Sequence, residues 1–476
     1  MTVGVTSVLY ALVICILFYI LRGNSRKYLL AVASILYIYS LNRLAGAVVL
    51  FVSVFTWAVG LLVSIWQKKS ERAATGIMSV AVSIFVLSLL ILKYFPAYFS
   101  QGAAEDSFLS KILMPIGYSF YVFQAISYIV DVKRKSVKPT TNIADVVLYL
   151  AWFPKFVSGP IERWNGFNDQ IKNACCAKLI DKDRWKRVFY YTLYGAFMKV
   201  VIADRLGIYV DKIFDGAELL GSNWLLLGAL FYTVQIYCDF AGYSYFAIGV
   251  SKAFGIDLVM NFDMPYCSQN ITEFWRRWHM SLSSWLRDYV YIPLGGNRKG
   301  PARKIINTMI VFLICGMWHG AGKNFIVWGL LHGVFSAVDS ICRDKGFSII
   351  RKGVVGTIIT FLEASFAWIF FRASSLSAGL RYVKAMFTHF AGYISFAENM
   401  ENINLVMIEM VVIIVSILCI AVLDRIAYNG KSNIPEMIAS LTQGRRYIVC
   451  YLLLMILVIF GIYGPDISTR LIYMEF

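Results

Sequence analysis

Long apolar runs uninterrupted by charge dominate this chain and leave few folds open to it. Residues 45–66, AGAVVLFVSVFTWAVGLLVSIW, contain no charged side chain, and neither do residues 222–238. A helix crosses the hydrocarbon core of a bilayer with roughly 17–25 apolar residues. Runs of that kind lie at 3–21, 45–66, 76–92, 113–132, 222–250, 324–340, 353–371, 403–423 and 447–464, with shorter ones at 28–42, 188–203 and 305–320. The stretch 143–159 begins apolar but contains Pro154, Lys155 and Gly159 and meets Pro160, which suits a re-entrant or interfacial segment better than a span. Of the 476 residues, 59% are apolar and 15% charged, with a mean hydropathy of +0.65. Soluble domains carry about 45–50% and about 25%. A soluble enzyme and a disordered chain are both excluded, and the expected fold is an all-α polytopic membrane protein.

The 45 Lys and Arg against 28 Asp and Glu give a formal charge of +17. In a soluble protein this would point to nucleic acid. Here it reads as basic loops on the cytoplasmic side, with membrane lipid as the neighbour and no nucleic-acid partner. The gaps 22–27, 67–72 and 133–138 are basic, and 341–352 and 424–446 more mildly so. If every candidate run except 143–159 crosses, these gaps share one side, and both termini lie outside. The long polar gaps 160–187 and 251–304 are then cytoplasmic. The nine cysteines include no CxxC pair and read as small buried hydrophobes, with no metal site expected. The first run lacks a basic flank ahead of it and a clear cleavage site, so it reads as a retained span.

Four histidines are present: His279, His319, His332 and His389. An ionisable group inside a membrane is costly and is by default a functional hypothesis. His319 follows the apolar run 305–318, which at about 1.5 Å per residue is shorter than the bilayer core is thick. That count places it within the membrane, behind Trp318 and among Gly316, Gly320 and Gly322. Two readings stand: a bond to a carbonyl of a neighbouring helix, or a neutral imidazole that takes a proton from a hydroxyl. His279 lies in a stretch where Trp275, Trp278, Leu282, Trp285 and Tyr289 recur at helical spacing, with Arg276, Arg277 and Arg287 elsewhere on the wheel. This predicts one amphipathic helix at the interface, ended by Pro293 and Gly295-Gly296. Arg276, Arg277, Arg287 and Arg298 suit phosphates or lipid headgroups. Asp239 is a buried acid that pairs with a base, orients a histidine, or makes only a packing contact. His332 reads as core and His389 as surface.

Six motifs occur in order: PIGYSFYVFQ from Pro115, FPKFVSGPIER from Phe153, DFAGYSYFAIG from Asp239, EFWRRWHMSLSSWLRDYVYIPLGGNR from Glu273, MWHGAGKNFIVWGLLHG from Met317, and FFRA from Phe370. Together they resemble the membrane-bound O-acyltransferase family, in particular its alginate O-acetylation branch, with the D-alanyl transfer proteins of teichoic acid as a sister branch. The resemblance is strong over 115–373. It divides the chain into N-terminal helices (1–112), an acyltransferase core holding the re-entrant segment and the amphipathic helix (113–373), and C-terminal helices (374–476).

The resemblance implies a ring of tilted helices around a thin central acyltransferase site. His319 and His279 would be the catalytic pair, and Trp318, Arg276, Arg277, Arg287 and Asp239 would meet substrate. Tyr245 stands where the family has an acid, so no charged role is carried to it, and Lys323 departs from the family's usual pattern. The implied activity is O-acyl transfer, with acetyl as the expected group. The donor substrate would be acetyl-CoA or another cytosolic acyl thioester, with no bound cofactor. The acceptor would be an exported polysaccharide, reached directly or through an extracellular SGNH-type acetylase or another acceptor protein, at a bacterial cell membrane. Three rivals remain: D-alanyl transfer to teichoic acid, a flippase for a lipid-linked sugar, and a scaffold whose histidines are structural.

Overall fold

A computed structural model describes residues 5–99, 114–344, 346, 352–389 and 396–463. Among these residues every regular element is helical. The chain divides into two compact units, Val3–Thr192 with Ala247–Met260, and Leu193–Phe246 with Asn261–Phe476.

The first unit contains α1 (Val5–Ile20), α2 (Asn24–Leu41), α3 (Arg43–Gln67), α4 (Glu71–Phe99), α5 (Tyr118–Lys133), α6 (Ile143–Ala151), α7 (Trp164–Cys175) and most of α8 (Lys182–Ala196). Asn42 caps α3 through its side chain, which accepts from the Ala45 amide. A Cβ on Gly60 would lie 2.6 Å from the Tyr128 ring, so α3 and α5 pack through that glycine. Buried Arg26 spends its guanidinium on carbonyls: Phe18 and Leu21 at the end of α1, and Cys175 and Ala177 beyond α7. The nine residues of α6 are too few to cross a core of roughly 30 Å. A 3-10 turn, Phe153–Lys155, follows it. Lys155 folds back to the Tyr149 carbonyl (2.9 Å) and to Gln124, so its ammonium caps the end of α6.

The second unit continues α8 into a π-helical turn, Phe197–Ala203, and then α9 (Asp204–Asp215). Next come most of α10 (Ser222–Ala253), then α11 (Ile271–Arg277), α12 (Met280–Leu286), α13 (Pro301–His319), α14 (Lys323–Asp344), α15 (Gly353–Arg372), α16 (Leu376–Thr388), α17 (Phe396–Asn402), α18 (Met407–Gly430), α19 (Ile434–Ser440) and α20 (Gln443–Phe460). A Cβ on Gly195 would sit 2.6 Å from the Gly242 carbonyl, so the end of α8 touches α10 backbone to backbone.

Seven described helices are long and apolar enough to cross a membrane: Arg43–Gln67, Glu71–Tyr98, Ser222–Ala253, Lys323–Asp344, Gly353–Arg372, Met407–Gly430 and Gln443–Phe460. Side chains such as Ile448, Tyr451, Leu452 and Val458 on α20 are exposed, as a lipid-facing helix requires. The run 113–132, whose first residue lies outside the described residues, forms an inner helix. Its helix, α5, has 16 residues, of which 13 are buried within the protein. Hydropathy measures transfer out of water and does not distinguish lipid from a protein interior.

The sidedness read from the basic gaps is testable. Single cysteines at Ser70, Ser136 and Asn297 in a cysteine-free background should resist impermeant thiol reagents in intact cells and react after permeabilisation. Labelling in intact cells would reverse the orientation.

Candidate active site

The site is built on the hairpin of α13 and α14. Pro301 opens α13 at a position where its missing N–H costs nothing. The two helices approach through glycines: a Cβ on Gly316 would lie 2.4 Å from the Phe325 carbonyl, and one on Gly329 would lie 2.3 Å from the Phe312 carbonyl. The turn between them is equally tight, since a Cβ on Gly320 would sit 2.2 Å from the Phe325 ring. This turn leaves His319 as the last residue of α13, only 3% exposed. Its imidazole is enclosed by Trp318, Trp328 and Phe371 at ring-centroid distances of 4.7, 4.9 and 5.1 Å. Asn324, at the start of α14, donates to the carbonyls of Phe370 (3.2 Å) and Ala373 (2.9 Å) at the end of α15. That clamp holds Phe371 against His319.

His279 lies on a break rather than on a helix. The segment from 270 to 300 is not the single interfacial helix its spacing predicts. Helix α11 ends at Arg277, Trp278 is extended, and His279 has a left-handed backbone (φ 42°) before α12 starts at Met280. A π-helical turn, Arg287–Tyr291, follows α12. A non-glycine residue in the left-handed region costs on the order of 1 kcal/mol and persists only where its surroundings impose it. Asn261 supplies that restraint. Its carbonyl accepts from the Met280 amide (2.9 Å), and its side chain bonds Ser281 (2.6 Å) and Ser244 (3.2 Å).

The aromatic stripe is buried in protein, not laid on the membrane surface. Trp278 packs on Trp368 at 4.9 Å, and the Trp275 indole donates to His332 Nδ1 at 3.2 Å. His279 is 1% exposed, and burial pushes its pKa down to about 3, so its ring is neutral at physiological pH. Phe240 meets that ring edge-on at 4.7 Å, and Trp318 lies 6.4 Å from it. Trp318 therefore touches the environment of both histidines.

The remaining predicted residues separate. Arg277 pairs with Asp263 (2.6 Å) and Glu273 (3.0 Å) and lies over Tyr428, so its charge is used within the protein. Arg276, Arg287 and Arg298 are exposed, and Arg287 pairs with Asp288 at 2.8 Å. Asp239 is buried and pairs with Lys199 at 2.5 Å, and Lys199 also holds Asp204 at 2.7 Å. His332 is buried in the core, and half-buried His389 meets the Leu220 carbonyl through Nδ1 at 3.1 Å. Lys199, Asp204, Asn261 and Asn324 also belong to these surroundings, and the sequence does not mark them as a group. Lys199 carried a usable signal, a charge inside an apolar run.

The hairpin and the break at His279 bring two buried imidazoles to either side of Trp318, whose ring lies 4.7 Å from that of His319 and 6.4 Å from that of His279. The model of the family described as MBOAT, membrane-bound O-acyltransferase, matches residues 35–376. The chain belongs to that family, and it is a multi-pass membrane O-acyltransferase. A probable alginate O-acetylase, AlgI, of Pseudomonas syringae pv. tomato is 36% identical over 389 residues, 78% of this chain and 72% of that protein. A peptidoglycan O-acetyltransferase of Helicobacter pylori is 35% identical, over 58% of this chain and 57% of that protein. A teichoic acid D-alanyltransferase of Bacillus subtilis is 28% identical, over 58% and 71%.

The hairpin geometry predicts the cost of a single methyl group. Gly320→Ala must displace the Phe325 ring and should lower stability by about 1–3 kcal/mol. Gly76→Ala in α4, where a Cβ would meet nothing within 4 Å, should be neutral or stabilising. Thermal unfolding of the purified proteins in detergent checks both. Equal midpoints for Gly320→Ala and the parent would contradict the packing argument.

Proposed function

We propose that the protein transfers an acetyl group from a cytosolic thioester, acetyl-CoA or another acyl carrier, to a hydroxyl destined for an exported polysaccharide at a bacterial cell membrane. The observation that carries this reading is the enclosure of His319 at the end of α13, with its imidazole among Trp318, Trp328 and Phe371. Two of the relatives, 36% and 35% identical to the chain, are named for O-acetylation of alginate and of peptidoglycan.

In this reaction the acceptor oxygen attacks the thioester carbonyl carbon while His319 takes the hydroxyl proton. The tetrahedral intermediate carries its negative charge on the former carbonyl oxygen. The C–S bond then breaks, and His319 returns the proton to the departing thiolate. The products are an ester and a free thiol, and the histidine is regenerated neutral. His279, neutral because it is buried, orients the donor or gives a hydrogen bond to the developing oxyanion. The exposed Arg276, Arg287 and Arg298 attract the donor's phosphates. Trp318 forms part of the acceptor wall. The acceptor is the glycan itself or the serine of an extracellular SGNH-type acetylase that passes the group on.

Acetyl-ester formation on exported glycan, measured in cells or reconstituted vesicles, tests this. His319→Ala should reach the membrane at parental level and lose transfer. His279→Ala should lower turnover by about 10²-fold, and His389→Ala should leave it intact. Full acetylation by His319→Ala would leave a scaffold, and formation of D-alanyl rather than acetyl esters would place the chain with its teichoic-acid relatives.

A further inference from the structure

Three charged side chains are buried together in the second unit, and the reaction described above uses none of them. Lys199 Nζ lies 2.5 Å from Asp239 and 2.7 Å from Asp204. All three side chains are 6% exposed or less. Lys199 stands in the π-helical turn Phe197–Ala203, Asp204 opens α9, and Asp239 lies well inside α10. The close approach that permits this comes from glycine, since a Cβ on Gly242 would lie 2.9 Å from the Gly195 carbonyl and 3.0 Å from the Lys199 amide.

Buried charges of this kind contribute little net stability, because desolvation offsets most of their attraction, but they fix geometry strongly. A π turn inside a longer helix is costly and is frequent at functional sites. The residue after Asp239 is Phe240, whose ring meets the His279 ring edge-on at 4.7 Å. Two residues before Asp239, Tyr237 packs on Trp278, the neighbour of His279, at 6.3 Å. The centre of α10 is thus the wall against which the His279 break rests, and Asp239 is where that wall is pinned.

We propose that Lys199 is a positioning residue for acyl transfer: by clamping Asp239 it sets the rotation of α10 that holds Phe240 against His279. The inference rests on the reading of His279 as part of the reaction site. Lys199 touches neither histidine and acts through α10. Without it, Asp239 and Asp204 are left as two carboxylates in one buried site, and their repulsion drives α10 away from the π turn.

A double-mutant cycle tests this on the full-length protein in detergent or vesicles, read as acetyl transfer per enzyme with membrane level and thermal midpoint recorded. In the parental background Lys199→Met should lower kcat by about 10²-fold, the scale of an ångström-sized misplacement, and Phe240→Leu should lower it in the same direction. In the His279→Ala background each should cost less than about 3-fold more, because coupled residues do not add. Phe240→Leu leaves the three charges in place and keeps the cycle readable if Lys199→Met does not fold. Lys199→Arg, which keeps the charge, should recover part of the loss. Losses that multiply fully with that of His279→Ala, or parental kcat in Phe240→Leu, would overturn the positioning role alone. Parental turnover in His279→Ala itself would overturn both this inference and the reading it rests on.

Discussion

Backbone contact between α13 and α14 is the constraint on which the rest of the site depends. Gly316 and Gly329 let each helix press a carbonyl into the other, and Gly320 lets the connecting turn close over Phe325. Interhelical packing in a membrane gains little from the hydrophobic effect, because lipid tails are as apolar as the side chains, so close approach through small residues takes its place. The consequence is chemical. The hairpin sets His319 at the end of one helix and Trp328 on the facing one, and the Asn324 clamp to the end of α15 adds Phe371 as the third wall. The motif from Met317 to Gly333 is therefore a packing device that presents one imidazole.

Several charged groups buried inside the protein carry their partners with them. Arg26 binds four carbonyls, Lys155 caps the end of α6, and Asp339 accepts from the amides that open α11. An unpaired charge in hydrocarbon costs several kcal/mol, so these contacts are conditions for folding rather than gains in stability. His279 shows the same logic in the backbone. Its left-handed conformation exists because Asn261 bonds the residues after it from a separate strand of chain.

Much of the architecture is legible in the amino-acid order, and the gaps have physical causes. Apolar runs mark the seven long helices, and the glycines around His319 signal close approach. The run that forms α5 does not show from its sequence that the helix is enclosed by protein, because burial by protein and burial by lipid demand the same residues. The stretch from 270 to 300 has helical spacing throughout, yet it breaks at His279. The restraint comes from Asn261, distant enough along the chain that no local periodicity reveals it. Asp239 stands out as a buried acid, but its partner Lys199 lies forty residues away, and only the fold brings the pair together. Arg277 shows the reverse. It looks like one more basic residue of a surface helix, while Asp263 and Glu273 commit its charge internally.

The central claim is that acyl transfer takes place at His319, where a donor and an acceptor meet. An experimental structure of the protein with a non-hydrolysable acetyl-CoA analogue tests this most directly. The expected result is a thioester-mimicking group within about 3–4 Å of the His319 imidazole, the reach of a resting catalytic hydrogen bond, with Trp318 beside it. A pantetheine arm ending far from His319, with that imidazole sealed from both faces by packed side chains, would contradict it.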